Sequence, residues 1–340
     1  MLPTPRILAI ATPVVAITIG LTVFFTTQAT VTVTSDKVSA ERIQLIQQNI
    51  DSLHPNASSE LKQQILEIAV KAIENQIFVE GGSFMMGDFG MKCKSDLYAP
   101  TWEEGTECYA THTLDDKPAH KVTLTSYSLS KYETSLYEKE RYHLAHGLPQ
   151  PLEKRRKKKP DHWSVQPNIA AGTGGWQEAK DQCLWLGKLT GYAFDLPTEA
   201  QWEFAARNRG QKIFYATNDG TIKLNKNTPD DQVFPIDSFP PNPLGFHHLQ
   251  SNVTEWVNDW FDDKYYQNSP EYNPQGPSEP PIVKLINKDP GHFRVMRGGS
   301  ISWDPTVMTN RAPFPAILGK RDYYTRYGFR CAIQSSEPIN

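Results

Sequence analysis

The residues best placed to do chemistry lie in the stretch Arg297-Gly298-Gly299-Ser300-Ile301-Ser302-Trp303-Asp304. Two glycines between a charged residue and a hydroxyl imply backbone brought close to something else, because a Cβ would block such an approach or a positive φ. A short apolar alternation follows and reads as a strand. Other reactive or metal-binding groups are few. The cysteines are Cys93, Cys108, Cys183 and Cys331, and none falls in this stretch or just after it. Among the nine histidines, His143 and His146 stand at i, i+3 and His247 and His248 are adjacent. A non-haem iron centre needs histidines with a carboxylate on one face, and neither pair shows that pattern.

These residues sit in a chain of 340 residues, long enough for one large domain or two ordinary ones. Lys and Arg number 35 against 38 Asp and Glu, so no global charge argues for nucleic acid. Aromatics at 11%, with 26 prolines and 21 glycines, point to a loop-rich fold rather than a helical bundle.

Arg6 precedes an apolar run from Ile7 to Phe25. At roughly 19 residues the run is long enough to span a bilayer as a helix, or to form the core of a signal peptide cleaved near Thr27-Gln28-Ala29. Both readings carry the remainder out of the cytoplasm, with a single-pass inner-membrane anchor preferred over a cleaved periplasmic form. No cysteine follows the run, so lipid attachment there has no support.

From Ser35 to Ile77 the pattern is helical. Ile43, Ile46, Ile50 and Leu53 recur at helical spacing, as do Leu61, Ile65, Ile68, Val70 and Ile73, with a break and a fresh N-cap between His54 and Glu60. This reads as a stalk spacing the main domain from the membrane. From Phe78 the texture changes to a hairpin over Phe78–Gly87, then strands at Lys121–Leu124 and Tyr127–Leu129. Glu133-Thr134-Ser135 caps a helix with Leu136, Tyr137 and Tyr142. An insertion before these elements carries Cys93 and Cys108. Trp176, Ala179, Cys183 and Leu186 share one face of a further helix. Thr198 and Gln201 form a capping box for another. Lys154 to Lys159 is a run of six cations, read as a solvated loop or as a surface for an anionic partner or lipid headgroups.

In order, the segments "LPTEAQWEFAAR", "NVTEWVNDWF", "MRGGS" and "YGFRCA" resemble the sulfatase-modifying-factor, or formylglycine-generating-enzyme, family. "FVEGGSFMMG" and "SLSKYETSLYE" are similar to its opening segment, so the resemblance runs from about Phe78 to Ile333. It implies a single irregular α+β domain related to C-type lectins. It also implies an oxidase that converts a substrate cysteine to formylglycine, with copper held by two cysteines. Trp303 and Met308 stand at those two positions, Asp304 replaces the family's histidine, and Arg326 replaces its asparagine. Neither indole nor thioether replaces a thiolate as copper ligand and redox atom. Ser300 and Trp256 match the family's pocket serine and tryptophan, with turn and core roles as the alternatives for each.

The family also implies a calcium ion held by Glu255 and the carbonyls of Gln250, Ser251 and Val253, oxygen donors suited to a hard cation. It implies a Cys183–Cys331 disulfide, with Cys93–Cys108 then closing the insertion. The expectation is therefore a signal anchor or signal peptide over 1–34, a helical stalk over 35–77 and a sulfatase-modifying-factor-like domain over 78–335. Copper is not expected, and calcium is. The expected role is a binding module (inhibitor, immunity or maturation partner) for another exported protein or a periplasmic small molecule. The rival is a cysteine-independent oxidoreductase or modifying enzyme.

Overall fold

A computed structural model describes residues 33–92, 107–111, 113–230, 232–285, 289–299, 308–317 and 326–339. The apolar run at 7–25 lies outside them. Among the described residues, no helix is long and apolar enough to cross a membrane.

Two helices open this part of the chain, α1 (Ala40–Leu53) and α2 (Ser59–Glu74), where the apolar spacing placed them. Ser58 accepts a hydrogen bond from the Leu61 amide and so caps α2. The pair is not a free-standing stalk. Ile46 and Ile50 of α1 and Ile65, Ile68, Ala69 and Ile73 of α2 are buried in one cluster with Trp176, Cys183 and Trp185. Polar contacts fasten the same surfaces: the Arg42 guanidinium donates to the Thr190 carbonyl at 3.0 Å, and the Trp185 indole donates to His54 Nε2 at 2.9 Å. The apolar face read as a spacer's own seam is the wall of the main core.

Then come β1 (Gln76–Val79), β2 (Gly82–Met86), β3 (Met91–Lys92), β4 (Glu107–Cys108), β5 (His120–Leu124) and β6 (Tyr127–Ser130). After them run α3 (Leu136–Ala145), α4 (Glu153–Lys158), α5 (Trp176–Thr190), β7 (Phe194–Asp195) and α6 (Glu199–Ala206). The chain continues through β8 (Thr254–Trp260), α7 (Tyr265–Asn268), β9 (Phe293–Arg297), β10 (Arg311–Pro315), β11 (Tyr327–Gly328) and β12 (Ala332–Ile333). One sheet has the order β1-β6-β12-β7, a second β10-β9-β8-β11, and β2-β5 and β3-β4 form two-stranded pieces.

The hairpin expected over Phe78–Gly87 does not form. β1 pairs with β6 and β2 with β5, so the two strands enter different sheets. Gly81 permits a close crossing: a Cβ there would lie 2.3 Å from the Leu124 carbonyl, so at this point the chain passes against another strand instead of turning back on itself. The expected caps are present. Ser135 with Glu138 and Thr198 with Gln201 both close reciprocal capping boxes, and Gly191 in the left-handed region ends α5.

Candidate functional site

The glycine corner begins where β9 ends. Gly298 has φ +77°, and a Cβ there would meet the Leu249 carbonyl at 3.0 Å and the Trp202 ring at 3.2 Å. The next amide, Gly299, donates to the Gln250 carbonyl at 3.2 Å. The strand end is thus pressed onto the turn before β8. Ser300, Trp303 and Asp304 lie outside the described residues.

Beneath the corner is a buried charge lattice. Helix α6 carries Glu199 and Glu203 one turn apart, both essentially inaccessible. Arg297 donates to Glu199 at 3.0 Å and to Glu203 at 2.7 Å, and also reaches the Met308 carbonyl. Arg311 grips Glu199 with two bonds of 2.8 and 2.9 Å, and Arg207 adds 2.6 Å to Glu203. Burial pushes the Glu203 carboxyl up, but the adjacent Arg297 and Arg207 outweigh it and hold the group below its ordinary value. Asp259 accepts from the Glu199 amide at 2.7 Å. Burial, followed by the Glu199 charge, raises its carboxyl to about 7.

A second such clamp holds the turn itself. Arg330 binds Glu255 through contacts of 3.0, 2.8 and 2.7 Å, and the Trp202 indole donates to the same carboxylate at 2.9 Å. The guanidinium also donates to the carbonyls of Ser130, Lys131 and His247 at 3.1, 3.2 and 2.8 Å. Glu133 reaches the turn from the α3 side, accepting from the Asn252 amide group at 2.6 Å and the Val253 amide at 3.2 Å. Burial, then the neighbouring Glu255 charge, pushes the Glu133 carboxyl well up.

This geometry bears on the calcium expectation. Both oxygens of Glu255 are engaged by Arg330 and Trp202, and the Gln250 carbonyl already accepts from Gly299. A cation among Glu255, Gln250, Ser251 and Val253 would have to displace a guanidinium that is itself fixed by three carbonyls. As arranged, the donor set does not fit calcium. Among the described residues, no three or more His, Cys, Asp or Glu side chains are grouped to hold a metal. The histidine pairs have other partners: His143 meets Glu178 at 2.8 Å, His146 the Tyr142 carbonyl at 2.8 Å, and His248 the Pro235 carbonyl at 3.2 Å.

The remaining expected site residues are not brought together. Trp256 is fully buried, donates to Thr173 Oγ1 at 3.1 Å and meets the Phe314 ring edge-on. Met308 is 1% exposed and packs in a different cluster with Trp202, Phe204 and Val295. It is core, and offers no open apolar surface. The sulfurs are placed elsewhere. Cys183 on α5 and Cys331 before β12 are bonded across a separation of 148 residues. Cys93 lies outside the described residues, and Cys108 sits in β4, paired with Met91 of β3.

Sequence reading missed Glu199, Glu203 and Glu133 as site residues, and with them the ion pairs that Arg207, Arg297, Arg311 and Arg330 make. For the first two, the available signal was glutamates at i, i+4 in a helix whose other residues are Ala, Trp, Phe and the capping Gln201, where an exposed face for them is absent.

A mixed α/β scaffold with little regular structure, holding a glycine corner over buried carboxylate–arginine clamps, defines the class. The family described as the sulfatase-modifying factor enzyme 1-like domain matches residues 62–335, and the chain belongs to it. The match begins inside α2, in agreement with that helix's place in the core. The chain is 34% identical over 184 residues to the formylglycine-generating enzyme of Streptomyces coelicolor, covering 49% of this chain and 53% of that one. It is 26% identical over 274 residues to the serine/threonine-protein kinase pkn1 of Chlamydia caviae, covering 75% of this chain. It spans only 37% of that relative's length. The solved structure of PvdO from Pseudomonas aeruginosa shares the fold, with a TM-score of 0.53 at 22% identity, over 76% of this chain and 94% of that one.

Proposed function

We propose that this protein is an exported binding module built on the formylglycine-generating-enzyme scaffold, without the copper-dependent cysteine oxidase chemistry. One observation carries the reading. Where the resemblance puts the second copper thiolate there is Met308, sealed in the core. Meanwhile Cys183 and Cys331 are consumed in a disulfide far along the chain from the corner. Copper-dependent oxidation needs two thiolates at one point, and the sequence has Trp303 and Met308 at the two positions instead.

On the corner's own sheet, the Phe314 and Tyr327 rings meet at a tilt with centroids 4.9 Å apart, and Ile317, bridged to Gly175, is 81% exposed. These supply an apolar face for a partner, either another exported protein or a periplasmic small molecule.

The test is metal analysis and oxygen uptake on protein purified from the membrane fraction, with a cysteine-bearing peptide and Cu(I) supplied. No stoichiometric copper or iron and no formylglycine are expected. Stoichiometric redox metal with oxygen consumption would establish instead a cysteine-independent oxidoreductase. Cross-linking in cells then reads the binding role, and Ile317→Asp, at an exposed position, is expected to abolish the adduct while leaving the thermal midpoint unchanged.

A further inference from the structure

A cavity of about 480 Å³, apart from the glycine corner, opens between α3, the 149–152 turn and the 169–174 segment. That volume lies within the range of about 300–1,000 Å³ typical of small-molecule sites. Its walls are apolar, formed by Leu136, Pro149, Pro151, Leu152, Ile169 and Ala170.

Three polar side chains line the cavity as well, and each is already engaged. Lys139, 4% exposed, donates to Glu178 at 2.8 Å and to the Gly172 carbonyl at 2.6 Å. The His143 ring nitrogens meet Glu178 at 2.8 Å and the Pro149 carbonyl at 2.6 Å. The other Glu178 oxygen accepts from the Gly174 amide at 2.6 Å. Burial alone would raise the Glu178 carboxyl, but the His143 hydrogen bond and the Lys139 charge bring it down to about 2, so it stays ionised. A polar cluster this well satisfied demands little from a ligand, and the remaining wall favours hydrocarbon.

The chain leaving the cavity differs in character. Leu152 is both a wall of the cavity and the residue before α4. Lys154 is two residues on, within about 7.6 Å of Leu152 along the chain. In this basic segment Arg156 pairs with Glu140, Lys157 with Glu153, and Arg155 bonds Ser164. Lys154, Lys158 and Lys159 are exposed, and among the described residues they have no anionic partner.

We infer that this cavity binds a single-chain anionic amphiphile, its aliphatic chain against Leu136, Leu152 and Ile169 and its headgroup on the exposed lysines of the α4 segment. The juxtaposition of an apolar pocket with an exposed cationic segment that starts two residues beyond its Leu152 wall selects this ligand over a neutral or cationic one. It also gives the basic run at 154–159 a role. The inference is independent of the role proposed for the Ile317 face.

The experiment is calorimetric titration of the full chain with dodecanoate, and with dodecyltrimethylammonium as the charge-reversed probe, both below micelle concentration. Dodecanoate should bind one to one, at least tenfold tighter than the cation. Leu152 has φ 55°, a conformation that Asp and Asn adopt readily, so Leu152→Asp and Leu152→Asn should keep the fold. The Asp variant should weaken dodecanoate at least tenfold and the Asn variant less. The Lys154→Glu/Lys158→Glu pair lies on exposed positions and should weaken it at least fivefold, with a shallower salt dependence. Equal affinity for both probes, no binding, or binding untouched by Leu152→Asp or by the lysine pair would overturn the assignment. Thermal midpoints of each variant separate a lost site from a lost fold.

Discussion

Arg297 and Arg311 face each other as direct partners in the β9–β10 ladder, and both donate to one oxygen, Glu199 Oε1, at 3.0 and 2.8 Å. Like charges placed directly opposite in a ladder are ordinarily destabilising. Here a single carboxylate from α6 turns the repulsive pair into a bridge. The two arginines stand at either end of the chain segment 298–310, so both feet of the segment that follows the glycine corner are tied to the same helical turn. The tie rests on the two ends of the segment and not on the residues between them.

Glu199→Gln should therefore cost about 3–5 kcal/mol, the scale of a broken buried ion pair, seen as a lower urea midpoint with an unchanged m-value. Adding Arg311→Met to that variant removes the cation stranded by the change, since Arg297 keeps Glu203 at 2.7 Å. The double variant should lose clearly less than the sum of the singles. Strict additivity would mean that the three groups are not coupled.

The disulfide gives a redox prediction. Closing a loop of 148 residues stabilises by about 3–5 kcal/mol on a chain-entropy argument. Reductant should lower the thermal midpoint of the wild type, and the Cys183→Ala/Cys331→Ala variant should start low and not respond. A wild type indifferent to reductant would contradict the pairing.

Two buried groups make stability depend on pH in opposite senses. Burial lowers His248 from 6.5 to about 3. Its contribution is full above 6.5 and is lost as pH falls toward 3, because the unfolded chain takes the proton first. Asp259 is raised from 3.8 to about 7, so its contribution is full below 3.8 and is lost as pH rises toward 7. Asp259→Asn should gain stability relative to wild type above pH 7 and little below pH 4. His248→Gln should flatten the acid limb. Denaturation midpoints across pH 3–9 read both.

Residues 35–77 should not be removable. A chain starting at 78 lacks Ile65, Ile68, Ala69 and Ile73, which are buried with Trp176 and Cys183. It should be insoluble or molten, binding ANS and lacking a near-ultraviolet circular dichroism signal, whereas 33–340 should unfold cooperatively. A cooperative 78–340 fragment would restore the stalk reading.

How much was legible in the sequence follows from where each signal lived. Helices α2, α3 and α6 announced themselves because Ser58, Ser135 and Thr198 act within one turn of their own position. The glycine corner was legible because Gly298 must accept a backbone approach. The Phe78–Gly87 hairpin failed because alternation around glycines is the same for a hairpin and for a crossover, and the Leu124 carbonyl that decides the matter is remote in sequence. Glu255 was expected as a cation ligand because the family resemblance implies a calcium site at this turn. Only the fold reveals that Arg330 arrives there. The helical spacing of Ile65 to Ile73 showed which face is apolar, and could not say what would cover it.

Strand β12 lies between β6 and β7, pairing antiparallel with both. Both neighbours precede it in the chain, β6 by a long way. The first sheet thus cannot close, nor Cys331 find Cys183, until synthesis has passed Ile333. Until then the nascent chain carries an open slot between two strands. Losing β12 would cost far more than its two residues imply.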